Sequence, residues 1–386
     1  MNAPVPSSAL RLDLDSHIQP SPDTYPLVAG EIGLHYQRMF EELLSSLPAD
    51  QADRLVAWTG DEKQEWTDDT VWTVKGSTAP GAVSPEGRLK TLDHMGVRRS
   101  LIFSDPGVQS TAMGAQELAL ATMRHWNDFI LDFNSVDRDR LRGVAVLNTN
   151  DISTAIGEAE RVLKAGGAAF VIPSSTAPGG RSPACPEMDP LWAMIAEANA
   201  AVTLHAGGEE GFLASNHWDD GVDHLKFESI DYSAEGEQIG TYQFASMSLA
   251  PQNFLTVMTL GGVFERHPNL RFGVIELGAH WLAPMSVHMD NTALIFGRRF
   301  KDVLSMKPSE YIRRNVRVTP FRVENVADYV ERYGMAECYC YSSDFPHPEG
   351  GQDPVGEFQQ KIDRLGNGFF EQFFCSNGEW LLPELN

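Results

Sequence analysis

The chain has 386 residues, 42% hydrophobic and 22% charged, with 20 Phe and 8 Trp, which excludes an intrinsically disordered polymer and implies a large buried core. Its 53 acidic against 30 basic residues leave a net charge of −23 with histidine neutral, and no segregated basic patch offsets it, so a nucleic-acid partner is excluded. No apolar run approaches the ~18 to 20 residues that cross a bilayer, and the first residues have neither the basic stretch nor the apolar core of a secretory signal. A cytoplasmic protein off the membrane is expected, and Cys185, Cys338, Cys340 and Cys375 are too scattered for a disulfide framework.

In chain order, residues 1–9, with two Pro and two Ser, read as a flexible tail. Eight short apolar runs follow: Leu10–Ile18, Arg98–Ser104, Leu141–Asn148, Gly167–Ser174, Ala201–Ala206, Leu270–Gly278, Asn315–Phe321 and Glu337–Phe345. Between them lie helical patterns such as Met113–Phe133, Asp151–Ala165, Pro190–Asn199, Leu249–His267, Trp281–Phe300 and Glu324–Tyr333. Strict alternation argues for a parallel sheet, and eight units without a glycine-rich nucleotide fingerprint after the first strand argue for a (β/α)8 TIM barrel. The length prior of two or three domains thus gives way to one barrel over residues 10–386. Two connections are far longer than usual, 19–96 after the first strand and 207–245 after the fifth. They carry Trp58, Trp66, Trp72, Phe212 and Trp218, which suit either a lid over a substrate or a subunit interface, and Trp72 is taken as a substrate contact.

Side chains two apart on a strand face the same way, so Asp13, Asp15, His17 and Gln19 share a face opposite Leu12, Leu14 and Ile18. Two inward carboxylates and an imidazole are costly in a closed barrel unless a cation pairs with them. The fifth strand ends in His205 followed by small residues. The sixth has Ile275 and Leu277 outside and hence Glu276 inside, and the eighth brings Asp344 to its C-terminal tip. Any one of these fits a satisfied core residue, but four strands aiming Asp, Glu or His at one mouth point to a metal. Cys338 and Cys340, deeper in the last strand, read as small apolar fillers.

The segments Asp13-Leu-Asp15-Ser-His17-Ile-Gln19-Pro20, Thr203-Leu-His205-Ala-Gly, Gly262 to Trp281 and Ser343-Asp344-Phe-Pro-His347-Pro-Glu-Gly resemble the amidohydrolase-related branch of the amidohydrolase superfamily. That branch holds metal-dependent hydrolases and non-oxidative decarboxylases of aromatic and related acids. The resemblance implies Asp15, His17, His205 and Asp344 as ligands of one divalent metal, zinc first, with manganese or iron as alternatives. The fourth strand has no Lys that could become a carboxylated bridge, so a lysine-bridged pair of metals is not expected. The sequence departs from the family at three points: Asp15-x-His17 replaces a frequent His-x-His, Gln19 stands where a Glu is often found, and Glu276 stands where decarboxylases carry an acid/base His.

In the hydrolytic reading Asp344 moves the proton of a metal-activated water and Glu276 orients water or substrate. In the decarboxylating reading the metal chelates a carboxylate and a side chain protonates the carbon that loses CO2. His280, four residues past Glu276, is a candidate acid/base, and Arg322 and His347 are candidates for holding a small-molecule substrate. A third reading is a subunit of a non-haem metal-dependent oxygenase on the same fold. The loop His217-Trp-Asp219-Asp220-Gly-Val-Asp223-His224 would then add ligands or be simply a solvated acidic segment. A homo-oligomer is expected, with a hetero-oligomer of related subunits as the counterpart of the oxygenase reading.

Overall fold

The computed structural model describes residues 11–385 except 64, 116, 209–217 and 226–238. The expected tail at 1–9, together with Phe212 and His217, therefore lies outside the described residues, as does the side chain of Trp58. Eight parallel strands run in chain order: β1 Arg11–Asp13, β2 Val97–Ile102, β3 Leu141–Gly143, β4 Ala145–Val146, β5 Ala169–Val171, β6 Ala201–His205, β7 Arg271–Ile275 and β8 Val316–Val318. β3 and β4 are one expected strand interrupted at Val144, whose N–H turns to the Ile102 carbonyl at 2.8 Å. The first half pairs with β2 (Ser100 opposite Leu141) and the second with β5 (Ala145 opposite Phe170), so the interruption passes the barrel wall from one neighbour to the next.

The last expected strand, Glu337–Phe345, does not form a ladder, and this corrects the sequence reading. It opens as a 3-10 turn at Ala336–Cys338 and continues as an extended stave held by single bridges, Val318 to Tyr339 and Ser16 to Phe345. Its donors go elsewhere: Tyr341 N–H to the Phe373 carbonyl at 3.0 Å and Ser343 N–H to the Asp13 carboxylate at 2.8 Å. The barrel still closes, because Leu14 donates to Tyr341 O at 3.2 Å and Asp344 donates to Asp15 O at 2.9 Å.

Alternation along the strands sorts the apolar residues into two clusters. Leu147, Phe170, Ile172, Val202, Leu204, Phe272 and Val274 pack with the helix residues Trp192, Phe254 and Leu255. Val144, Val146, Ala169, Val171, Ala201 and Ile275 belong to a second cluster with Leu101, Ile102 and Cys340. The first cluster packs β4 to β8 against their helices, and the second joins the opposite-parity residues of that half to the packing around β1 to β3, where Leu12, Leu14, Trp126 and Ile130 also lie. The surrounding helices begin at sequence-legible caps, Ser84 accepting from Gly87 N–H ahead of Pro85–Met95 and Asp151 from Thr154 N–H ahead of Ile152–Lys164. Within 19–96 the chain forms helices Tyr25–Ala29, Glu31–Ser46, Ala49–Thr59 and Thr70–Thr73 before Pro85–Met95 leads directly into β2.

The N-terminal end of the barrel is sealed by arginines. Arg99 donates to the Asp139 carboxylate at 3.0 and 3.1 Å and to Leu382 O at 3.4 Å, Arg142 to Pro383 O at 2.7 Å, and Arg317 to Asn377 O at 3.1 Å. Arg271 lies over the Trp380 ring at 4.4 Å, so the last residues are strapped across this end by carbonyl acceptors and one indole face. Among the described residues no helix is long and apolar enough to cross a membrane.

Candidate metal centre

At the opposite, C-terminal mouth, Asp15, His17, His205 and Glu276 each offer a ligand atom, all within 4.8 Å of one another. β1 continues past Asp13 into the stretch that carries Asp15 and His17, and its Ser16 Oγ, bonded to Ser100 Oγ at 2.8 Å and Leu101 O at 2.8 Å, anchors that stretch to β2. The Arg88 guanidinium, fully buried, completes the clamp by donating to Ser16 Oγ at 3.1 Å, to Gly81 O at 2.8 Å and to the His17 carbonyl. Asp15 Oδ1 lies 3.3 Å from His17 Nε2 and 3.2 Å from His205 Nε2. The other ring nitrogens are tied back to backbone, His17 Nδ1 to Ser104 O at 3.2 Å and His205 Nδ1 to Ala206 O at 2.9 Å. As N–H donors at Nδ1, both rings present Nε2 lone pairs to the cluster, the tautomer that a metal ligand needs.

The remaining carboxylates come from turns at strand ends. Glu276 and Asp344 have φ of 55° and 51°, left-handed conformations that side chains other than glycine rarely adopt and that concentrate where function requires them. Glu276 N–H is held by Thr319 Oγ1 at 2.9 Å, and its Oε2 lies 3.5 Å from His205 Nε2. Asp344 Oδ1 lies 3.5 Å from His17 Nε2 and 2.9 Å from His347 Nδ1. Between these ends a cavity of about 30 Å³ is lined by Asp15, Glu276, Thr319, Arg322 and Asp344.

Charge is redistributed accordingly. Burial works against an ionised Asp15, but the His17 and His205 imidazoles beside it outweigh burial and hold the carboxyl below its usual range. Burial lowers the His17 pKa, with His347 nearby acting the same way, which keeps that ring neutral. For His347 burial also pulls down, yet Asp344 beside it prevails and the ring is pushed up to about 9.

The donor set fits a divalent cation. Two imidazoles and three carboxylates are borderline-to-hard ligands of the sort that take zinc, manganese or iron. His17 Nε2 is buried and makes no hydrogen bond, and an unsatisfied buried acceptor is costly until a cation meets it.

The expected site residues separate into three groups. Asp15, His17, His205, Glu276, Asp344 and His347 come together. Glu276, expected to orient water or substrate, stands within the ligand group itself. His280 stays apart, with a side chain 54% exposed and its Nδ1 4.0 Å from Glu324. Arg322 lines the cavity, but its guanidinium is engaged by Glu357 at 3.1 and 3.2 Å and by Glu349 O at 2.9 Å. Trp72, like Trp66, is partly buried against the core cluster that holds Leu12, Leu14 and Trp126. Asp13, on the same parity as Asp15, lies deeper and accepts from Ser343 Oγ at 2.7 Å and Ser100 Oγ at 3.2 Å. Burial pushes its pKa up to about 7. It binds three staves together and is no part of the ligand group. Of the acidic loop after β6, His217 is outside the described residues and His224 is exposed.

A family model described as amidohydrolase matches residues 102–379. Among solved structures, an amidohydrolase from Mycobacterium avium subsp. paratuberculosis K-10 is 17% identical, covering 97% of this chain and 99% of that one, with a TM-score of 0.69. A 5-carboxyvanillate decarboxylase from Sphingomonas paucimobilis is 17% identical over 98% of this chain and 100% of its own, TM-score 0.55. A 5-carboxyvanillate decarboxylase from Novosphingobium aromaticivorans DSM 12444, complexed with manganese and 4-hydroxy-3-methoxy-5-nitrobenzoic acid, is 16% identical over 97% and 96%, TM-score 0.62. At such identity the likeness carries the fold. No curated protein matches the sequence.

Proposed function

The chain belongs to the amidohydrolase family, and on that premise we propose that it is a metal-dependent hydrolase of a small amide or ester. The observation that carries this reading is the count of carboxylates. Asp15, Glu276 and Asp344 around one divalent ion leave a formal charge of −1, which the protonated His347 beside Asp344 brings to zero; a centre with no net positive charge offers little attraction to an anionic substrate group and suits a neutral acyl group with a water. Asp15, His17, His205 and Glu276 would hold the cation, with Asp344 beside them. When bound, it supplies Lewis-acid chemistry, easing deprotonation of a water and polarising the acyl oxygen.

The chain's own groups do the rest. Asp344 takes the proton of the attacking water and passes it to the leaving group. Its Oδ1 stays within 2.9 Å of His347 Nδ1, which steadies the carboxylate between the two transfers. Glu276, whose backbone N–H is held by Thr319, serves in the ligand group and orients the water with the carboxylate oxygen left over. Arg322, through the cavity that it shares with Asp344, is the substrate contact in this reading.

A second reading, non-oxidative decarboxylation of a small aromatic acid, is favoured by one observation. His347, carrying a proton, lies against Asp344 and is 13% exposed at the mouth, where it could protonate a carbon. The experiment is metal analysis followed by three assays on the loaded protein: amide and ester hydrolysis, CO2 release from hydroxylated benzoates, and O2 consumption. Hydrolysis of neutral substrates supports the proposal, CO2 release transfers it to the second reading, and O2 uptake overturns both in favour of an oxygenase.

A further inference from the structure

A chain of side-chain contacts leaves the metal centre and ends in the segment after β1. His347 Nε2 meets Gln19 Oε1 at 3.0 Å, Gln19 Nε2 donates to Asp105 Oδ2 at 3.0 Å, and Tyr25 OH donates to Asp105 Oδ1 at 2.5 Å. At its inner end the His347 ring stacks on the His17 ring, with centroids 3.9 Å apart and planes at 26°. The sequence separation of 328 between Gln19 and His347 makes this an arrangement that only the closed barrel creates.

The direction of every bond is set from the outer end. Asp105 caps the helix Pro106–Met113, its Oδ1 accepting from Gly107 N–H at 2.9 Å as well as from Tyr25. Burial and the neighbouring Asp105 hold the Tyr25 phenol far above its ordinary pKa, so Tyr25 remains a donor. An ionised carboxylate can only accept, so the Gln19 amide must turn its NH2 to Asp105 and its oxygen to His347. His347 must then present a proton on Nε2. Because an amide lies in the middle, the chain carries orientation and not protons.

We propose that Asp105, acting through Gln19, is a positioning residue that holds the His347 ring in one sense, Nε2–H outward and Nδ1 toward Asp344. The helix Tyr25–Ala29 thereby reports into the site, since Tyr25 is one of the donors that hold Asp105 in place. This inference rests on the proposed reaction only for its catalytic consequence, and its direct test does not require turnover.

Asp105→Asn provides that test. The Gly107 N–H keeps the oxygen of an asparagine at the capping position, so its NH2 faces Gln19 and forces that amide to reverse. The readout is the nitrogen-15 spectrum of histidine-labelled, metal-free protein, with His347 assigned by His347→Gln. In the wild type the His347 Nε2–H shows the downfield shift of a proton hydrogen-bonded to the Gln19 oxygen; in Asp105→Asn, where Gln19 turns its NH2 to the ring, that bond and its shift are lost, whereas in Tyr25→Phe they are kept. In Gln19→Leu, which removes the arm without touching the cap, the Nε2 proton exchanges with water at least about 10-fold faster. On the loaded enzyme Asp105→Asn lowers kcat with KM little changed. A wild-type Nε2 without hydrogen, or an Asp105→Asn spectrum identical to wild type, overturns the inference. An intact spectral reversal with no hydrolytic activity in any form refutes the proposed reaction and leaves the positioning role standing.

Discussion

The two ends of the barrel are built from opposite charges and solve opposite problems. At the N-terminal end, Arg99, Arg142, Arg271 and Arg317 each find acceptors on Asp139, on the last residues or on the Trp380 face, so the cations are satisfied within the chain. At the C-terminal end Asp15, Glu276 and Asp344 face the imidazoles of His17, His205 and His347. One end is closed by the protein itself and the other calls for a cation from solution. Backbone conformation does not follow this division: Glu276 and Asp344 are left-handed at the acidic mouth, and Asn199 and Met335 are left-handed where the chain enters β6 and the last stave at the other end. Stability and function have been given separate ends of one scaffold.

Breaking the acidic end has the largest effect. His205→Ala removes a buried ligand that contacts Asp15 and Glu276, and bound metal should fall by more than the roughly 10–100-fold that supporting residues cost, with activity following. Glu276→Gln removes one negative charge from the centre. Relative preference should then shift toward anionic substrates by about 10-fold, read as the ratio of kcat/KM for an acid and its neutral amide; an unchanged ratio contradicts the charge argument.

At the basic end the effect is on folding. Arg99→Met leaves Leu382 O without its donor and breaks the paired contact to Asp139, so chemical denaturation should show a loss of about 2 kcal/mol with metal content intact. Asp139 gives this end a pH signature. Although burial works the other way, Arg99 and then Arg142 hold its carboxyl below the ordinary 3.8, so its stabilising contribution is fully present above that value and is lost as pH falls through the lower folded pKa. The stability difference between wild type and Asp139→Asn should therefore be flat from neutrality to about pH 5 and shrink only below about 4. The smallest effect belongs to His280→Ala, whose exposed ring contacts Glu324 outside the ligand group. Activity should stay within about a factor of two, and a larger fall would bring His280 back as an acid/base residue.

The comparison also shows what a linear sequence can disclose. Parity along single strands placed Asp15, His17 and Glu276 on the lumen side, and a helix-facing Leu277 was enough to turn Glu276 inward, because period-two alternation is a local property. The irregular last stave was not legible: Ser343 gives its N–H to Asp13 across 330 residues, and no local pattern announces that a side chain will replace a strand neighbour. Arg322 read as a substrate-binding cation past β8, whereas Glu357, in the second helix after it, takes its guanidinium. The depth of Asp13 was hidden as well, since only the positions of Ser100 and Ser343 distinguish a carboxylate that ties staves together from one that meets a metal. What depends on neighbours in sequence was readable, and what depends on barrel closure was not.

The central claim is that the acidic mouth is a metal site. Elemental analysis of purified wild-type protein and of His205→Ala, each incubated with zinc, manganese and iron(II) and then desalted, tests it most directly. The account predicts about one tightly held divalent ion per wild-type chain and a near-complete loss in the variant. A wild-type chain that retains none of the three metals, or a variant that holds as much as wild type, would contradict it.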